Sequence, residues 1–516
     1  MPTALRRTVL LLALLALVAS PAGSAVAARP EGAGAVVTAA LAGALAAAAP
    51  GERLPVIVTL RAQADLQRSA GPAPGDTARA EREEVVTRLR AAAAASQGPI
   101  LAYLEGERAA GRADAVTPFW VFNGLAVEAT PALIAALAAR EDVARLALDA
   151  TYPAPSLAPG DVAAGDNLTL IGAPEVWEDG FTGQGVVVAT VDTGVYGGHP
   201  ALRDRYRGGT NSWRDVTGEF PLAPRDPNGH GTAVMGVLVG GDEGGQAIGV
   251  APGARWIAVK VFRDGQATAS GIHAAYQWLL DPDGNPGTDD APHVVNNSWG
   301  NPSAVCDDEF RPDLQALRAA GIAPVFSAGN GGPGAATGTS PAILLEALAV
   351  GATGAADLIA PTSSRGPSPC DPPGAVYPEL VAPGVAIRTA TRHGGYALAS
   401  GTSLAAPHVA GALALLLSAR PGLSAGAQVA ALRDAAVDLG VGGPDDAYGY
   451  GRLDVRAALA ALPPATSPPP TLPPPPPSPT TPPPSATATA TRTPTATPTR
   501  TPTARPQPVA LPLIFR

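Results

Sequence analysis

The chain has 516 residues, more than one ordinary domain needs and enough for two or three. Its net charge of −9 and pI near 5.2 exclude the basic surface that nucleic-acid binding requires. Arginine carries nearly all the positive charge, Lys260 being the only lysine, and no function follows from that bias.

The opening stretch, MPTALRRTVLLLALLALVASPAGSAVAARP, has the pattern of a secretory signal. Arg6 and Arg7 form its charged start, Val9–Ala19 its apolar core, and Ala25-Val26-Ala27 a small-residue cleavage site. Residues 1–27 are therefore expected to be a signal peptide, the apolar run being short for a retained membrane helix. No later segment reads as long and apolar enough to span a bilayer. In an oxidising compartment two cysteines pair by default, so Cys306 and Cys370 are disulfide candidates, with two free thiols as the alternative.

Residues 28–155 form a first unit. LPVIVTL reads as a strand, EREEVVTRLRAAAAA as a helix with acidic residues near its start, and FWVFNGLAVEA as a strand. PALIAALAAREDVARLAL reads as a helix running into a last strand. The stretch DATYPAPSLAPGDVAAGDN that follows reads as an exposed linker.

Residues 165–462 form the second unit. Its strands are short continuous apolar runs: GVVVATV, WIAVKVF, HVVNNSW, IAPVFSA and EALAVGA. Helical patterns separate them, among them HGTAVMGVLVG, GIHAAYQWLL and PDLQALRAAG. Continuous strands with helices between predict an α/β fold, a mostly parallel sheet covered on both faces. In such sheets the functional groups gather at the carboxyl ends of the strands. Residues 463–508 are Pro, Thr, Ser and Ala with almost nothing bulky, which predicts a disordered, extended spacer. Residues 509–516, VALPLIFR, restore hydrophobicity as a short apolar tail, a candidate surface signal.

Four stretches of the second unit carry chemistry. VVVATVDTGV places Asp192 just after a buried strand, and NGHGTAVMG places His230 at the start of a glycine-flanked helix. SGTSLAAPHVAGALALLLS places Ser403 at the positive end of an apolar, buried helix, where an oxyanion is stabilised. Pro407 is expected within the first turns of that helix, near the leading N–H groups that lack helical partners. APVFSAGNGG ends a strand with Asn330, whose amide can donate to a developing oxyanion. Asp, His and Ser so placed can form a hydrogen-bonded relay. Singly, each has a bland reading as a turn or cap residue; together they do not.

The segments VDTGV, GHGT, SAGN and GTSLAAPHVAG resemble those of the subtilisin family of serine peptidases, and the order Asp, His, Ser matches that family. NNSWG, CDDEFRP and SSRGPSPC further resemble its bacillopeptidase F-like branch. The resemblance implies a three-layer subtilisin-like fold and a secreted serine endopeptidase, with Asp192 orienting, His230 as base and acid, and Ser403 as nucleophile. Asn330 and the Ser403 N–H would form the oxyanion hole. Ser298, Trp299 and Gly300 match the strand lining the primary pocket, and Gly265-Gln266 the opposing strand. The first unit resembles the family's inhibitory propeptides, a small ferredoxin-like α+β domain whose C-terminal tail fills the active site until it is cut between about Leu148 and Asp166. His408 is read as structural.

Catalysis in this family needs no cofactor; its members commonly hold structural calcium, but GGHPAL offers Ala201 where the tight site usually takes a carboxylate, so no metal ligand is assigned. Glu243 in GGDEGGQ is one candidate ligand. Asp281, Asp283 and Asn285 in DPDGNPGTDD are spaced like the start of a calcium loop, but no acid stands at its twelfth place, so a solvated turn is the favoured reading. The expected partners are protein or peptide substrates and the chain's own propeptide, with no nucleic acid, a monomeric state and attachment to the cell envelope through the tail. The competing reading is a catalytically silent surface scaffold on the same fold.

Overall fold

The computed structural model describes residues 35–66, 78–160, 166–302, 305–370 and 375–464. The signal sequence at 1–27, the spacer from residue 465 and the apolar end at 509–516 lie outside the described residues.

The first unit is a five-stranded sheet in the order Val36–Val37, Val143–Leu148, Leu54–Leu60, Gly124–Ala129, Ala113–Phe119. Helices Ala39–Ala47, Gly98–Ala109 and Pro131–Ala138 cover one face, burying Leu41, Ile100, Leu104, Ile134 and Leu137 against Val56, Val58 and Leu146. FWVFNGLAVEA is not one strand. It straddles two antiparallel strands, Ala113–Phe119 and Gly124–Ala129, with a turn between them. Asn123 makes that turn at φ 42°, a conformation asparagine tolerates, and its amide is bonded to Ser96 (2.8 Å) and Gln97 (3.0 Å).

The second unit is built on a seven-stranded sheet in the order Leu380–Pro383, Leu348–Thr353, Ala323–Ser327, Val294–Asn297, Val187–Asp192, Arg255–Lys260, Trp213–Asp215. Every pairing in it is parallel. The strands are buried nearly throughout, as their continuous apolar runs predict. The two short edge strands, Trp213–Asp215 and Leu380–Pro383, show no pattern in the sequence. Successive strands lie on opposite sides of Val187–Asp192, so the chain reverses direction across the sheet there. Ligands of open α/β sheets bind at the carboxyl end of such a switch point.

Helix Thr402–Ala419 runs through the core with every residue buried. Among the described residues it is the one helix long and apolar enough to cross a membrane, a correction to the expectation that none follows the signal. Its burial accounts for its apolarity. Cys306 and Cys370 form a disulfide.

The units share a hydrophobic cluster in which Val85, Val86, Leu89, Phe119 and Phe122 pack with Ile272, Tyr276, Phe310 and Leu314. The connecting stretch is exposed at Thr151, Pro153, Ser156, Ala158 and Pro159, as expected of a linker, but it is also held by strand pairing. Thr151–Pro153 pairs antiparallel with Gln266–Thr268, and Ala158 and Pro159 pair with Ser400 and Ala399. Pro153 and Pro159 suit the edge-strand positions they occupy, and Tyr152 is 2% exposed.

Candidate active site

Asp192 ends the central strand and is fully buried. One carboxylate oxygen accepts from the Thr193 N–H at 2.7 Å. His230 opens helix His230–Val239 and sets its Nδ1 2.8 and 3.0 Å from the two Asp192 oxygens. The approach needs Gly231: a Cβ there would lie 2.2 Å from the Gly194 carbonyl and 3.0 Å from Asp192 Oδ1. His230 Nε2 is buried and has no partner.

The loop carrying His230 is tied down by Asp226, which the sequence reading missed. Its Oδ1 accepts from the N–H groups of Asn228 (3.1 Å) and Gly229 (2.8 Å) and from the Thr193 hydroxyl (2.9 Å). Its Oδ2 accepts from the N–H and hydroxyl of Thr232 at 2.9 and 2.6 Å. The signal was present in RDPNGHGT: an Asp two residues before an Asn-Gly favours a side-chain-closed turn.

Ser403 follows Gly401, whose φ of 150° suits glycine, and Thr402. Helices Thr402–Ala419 and His230–Val239 pack together, with Leu404 against Ala233 and Val237. The Ser403 hydroxyl donates to the Ser298 carbonyl at 3.2 Å, so the described conformer makes no bond to His230. Pro407 stands sixth in the helix, beyond the first turn, so the early-turn argument for it fails. Its missing N–H frees the Ser403 carbonyl, four residues back. The Ser298 hydroxyl takes that carbonyl at 2.9 Å.

Asn330 turns its carbonyl oxygen to the N–H and hydroxyl of Thr402, both at 3.0 Å. That fixes the amide and leaves its NH2 as the donor beside the start of the Ser403 helix.

A profile of the subtilase family matches residues 183–451. The chain belongs to the subtilase family.

This subtilase is 37% identical over 423 residues to Bacillopeptidase F of Bacillus subtilis (strain 168), covering 74% of the chain but only 29% of that protein. It is 35% identical over 292 residues to Subtilisin BL of Lederbergia lenta, covering 56% of the chain and 97% of that protein. The Major intracellular serine protease of Bacillus subtilis (strain 168) is 34% identical over 256 residues, 49% of the chain and 75% of that protein. The subtilase is thus a serine-type endopeptidase.

Of the substrate-strand candidates, Gly265 is exposed and its carbonyl accepts from Ala154 N–H at 2.7 Å. Ser298 lies against Ser403, whereas Gly300 packs on Thr339, a Cβ there lying 2.7 Å from Thr339 Oγ1. The Trp299 ring belongs to the core, edge-on to Tyr152, Phe310 and Phe326. His408 is structural in this subtilase: its Nδ1 donates to the Leu404 carbonyl at 2.7 Å and its Nε2 meets Asn167 Nδ2 at 2.7 Å. Burial pushes its pKa down to about 4, so the ring is neutral.

Of the calcium candidates, Asp281 and Asp283 come together, whereas Glu243 and Asn285 are engaged elsewhere. Glu243 pairs with Arg205 at 2.6 Å. Asn285 closes a turn, its side-chain oxygen accepting from Gly287 N–H at 3.2 Å. The third carboxylate beside Asp281 and Asp283 is Asp290, their ligand atoms lying within 4.8 Å of one another.

Proposed function

We propose that the chain is an exported serine endopeptidase made as a self-inhibited zymogen that cuts its own connecting strand. The observation that carries this is the His230 ring. With Nδ1–H held by Asp192, the neutral tautomer leaves the lone pair on Nε2, which is buried without a partner. In this reading the Ser403 hydroxyl leaves the Ser298 carbonyl and bonds that nitrogen, a contact that often forms only in the substrate complex. Ser403 Oγ then attacks the scissile carbonyl carbon as its proton passes to Nε2. Asp192 steadies the imidazolium, and the Asn330 NH2 and Ser403 N–H receive the oxyanion. The proton passes on to the leaving amine, and water repeats the sequence on the acyl-enzyme.

The first unit acts as the inhibitor. Thr151–Pro153 adds a strand to Gln266–Thr268 as an extended substrate would, and Tyr152 fills an aromatic niche of Trp299 and Phe310. Ala158 and Pro159 are held beyond Ser403 by Ser400 and Ala399. Between these anchors lies Pro155–Leu157, with Leu157 packed on the cluster of Leu404 and Ala399 next to the nucleophile, and in this reading it is the segment cut, within the expected Leu148–Asp166 window. Substrates are proteins or peptides bound in the same extended form, and the enzyme works as an exported monomer.

Intact mass over time on purified proprotein tests the reading, with Ser403→Ala alongside. The wild type is expected to lose a fragment ending at 154–157 while the variant stays whole. If the wild type is unprocessed, and is silent toward a peptide library after limited proteolysis of the strand, the zymogen-peptidase reading fails. Truncation at Pro463 tests envelope attachment through the tail, which equal cell association of both forms refutes.

A further inference from the structure

Helix Ala78–Ser96 of the first unit lays three arginines on the loop 281–290 of the second. Arg79 donates to the Gly287 carbonyl at 2.6 Å, Arg82 pairs with Asp289 at 3.3 Å, and Arg90 with Asp281 at 2.5 Å. Arg90 also reaches the Gly284 carbonyl at 3.4 Å and lies over the Trp120 ring.

What Arg90 touches is unusual for a loop. The Asp281 side chain has no exposed surface, yet its Oδ1 has no hydrogen-bond partner. A buried carboxylate so placed needs a cation close by. Burial and the neighbouring Asp290 and Asp283 push its pKa up against the pull of Arg90. Asp283 and Asp290 bring carboxylate oxygens within 4.8 Å of those of Asp281. From the second unit, Arg207 reaches the loop, donating to the Asp290 backbone carbonyl. Without the first unit, four carboxylates (Asp281, Asp283, Asp289 and Asp290) would face Arg207.

We propose that Asp281, Asp283 and Asp290, with the Gly284 carbonyl, form a calcium site that Arg90 occupies as a tethered cation in the zymogen. Calcium takes the place of the guanidinium when the first unit leaves. Oxygen ligands of this number and charge suit a hard divalent ion, with water completing its shell. Because ion and arginine compete for the same oxygens, each weakens the other by the same factor. Calcium therefore loosens the inhibitory unit, and a calcium-rich exterior drives activation towards completion. This rests on the reading of the first unit as a releasable inhibitor, but the ion's competition with Arg90 can be measured without any cleavage.

Calcium is titrated calorimetrically into the full chain carrying Ser403→Ala, and into the same chain with Arg90→Gln added. The second protein is expected to gain one site, or to tighten one at least tenfold, and Asp283→Asn added to it should remove the gain. The inference is overturned if Arg90→Gln leaves calcium binding unchanged or if the gain survives Asp283→Asn. Should Arg90→Gln not fold, the cleaved wild-type complex gives the second test. Calcium should speed release of the first unit at least tenfold over magnesium at equal ionic strength, and equal rates overturn the proposal. Release without any calcium effect leaves the zymogen reading standing, whereas absence of cleavage removes that reading and leaves the titration valid.

Discussion

Removing the Ser298 hydroxyl tests how the nucleophile is held. Pro407 cannot donate, so the carbonyl of residue 403 lacks its helical partner and depends on Ser298 Oγ at 2.9 Å. Both residues are buried, Ser298 fully and Ser403 at 3% exposed. The hydroxyl also accepts from Asn296 Nδ2 at 2.8 Å, and Asn296 Oδ1 already has no partner. Ser298→Ala therefore strands a buried acceptor and a buried donor, costing about 1–3 kcal/mol. Pro407→Ala restores a helical N–H to the same carbonyl, so in that background the penalty should shrink by about 1 kcal/mol. The cycle is measured in Ser403→Ala, which keeps the backbone carbonyl and prevents self-digestion. At about 2–4 °C per kcal/mol for chains of moderate size, the melting midpoint of Ser298→Ala falls by several degrees. The coupling is read as the difference between the two backgrounds. An equal loss in both would refute the account, because it would mean that the hydroxyl does not replace the proline's missing donor.

Asp226→Ala frees five donors around the His230 loop and should lower kcat at least tenfold with KM little changed, because His230 loses its position while the substrate strands are untouched; a matched rise in KM would refute this. Tyr152→Ala empties an aromatic niche at about 3–5 kcal/mol and should raise the dissociation rate of the cleaved first unit by two orders of magnitude or more; an unchanged rate in stopped-flow inhibition assays would count against Tyr152 as the anchor. His273 is enclosed by Asp313 at 2.9 Å and Glu309 at 3.3 Å, with Arg145 of the first unit on the far side of Glu309. Burial alone would lower its pKa, but the two carboxylates outweigh it and raise it to about 9. A pKa raised above its unfolded value of 6.5 stabilises fully below 6.5 and is lost as pH rises through 9. The melting point of the Ser403→Ala zymogen should therefore fall between pH 6.5 and 9 by more than that of its His273→Gln form, and parallel curves would exclude the network.

The residues legible in the sequence share one property: each meets its environment through its immediate neighbours. Asp192 ends an apolar run, His230 and Ser403 begin helices beside glycines, and Asn330 follows a strand. Residues whose work depends on distant partners were not legible. Ser298 was named only for a substrate strand, yet its hydroxyl serves a carbonyl 105 residues away in the chain. Asn285 was put forward beside Asp281 and Asp283, whereas the third acid gathered with them is Asp290, because the loop closes through Asp283 and Thr288 and so carries position 290 back to Asp281.

The connecting strand shows the limit most clearly. Pro/Gly/Ala composition indicated an exposed linker, and much of its described part is exposed. It could not indicate that Gln266–Thr268 and Ala399–Ser400 offer free edges, because edges belong to the partner strands. Tyr152 has the same history: one aromatic residue in a polar-looking stretch is unremarkable until Trp299 and Phe310 are brought around it by a fold more than a hundred residues downstream. An extended segment carrying a single large aromatic, placed between an inhibitor-like unit and a peptidase-like one, is therefore better read as a ligand than as a spacer. Its backbone gains nothing by folding on itself and can only be satisfied by the edges it crosses.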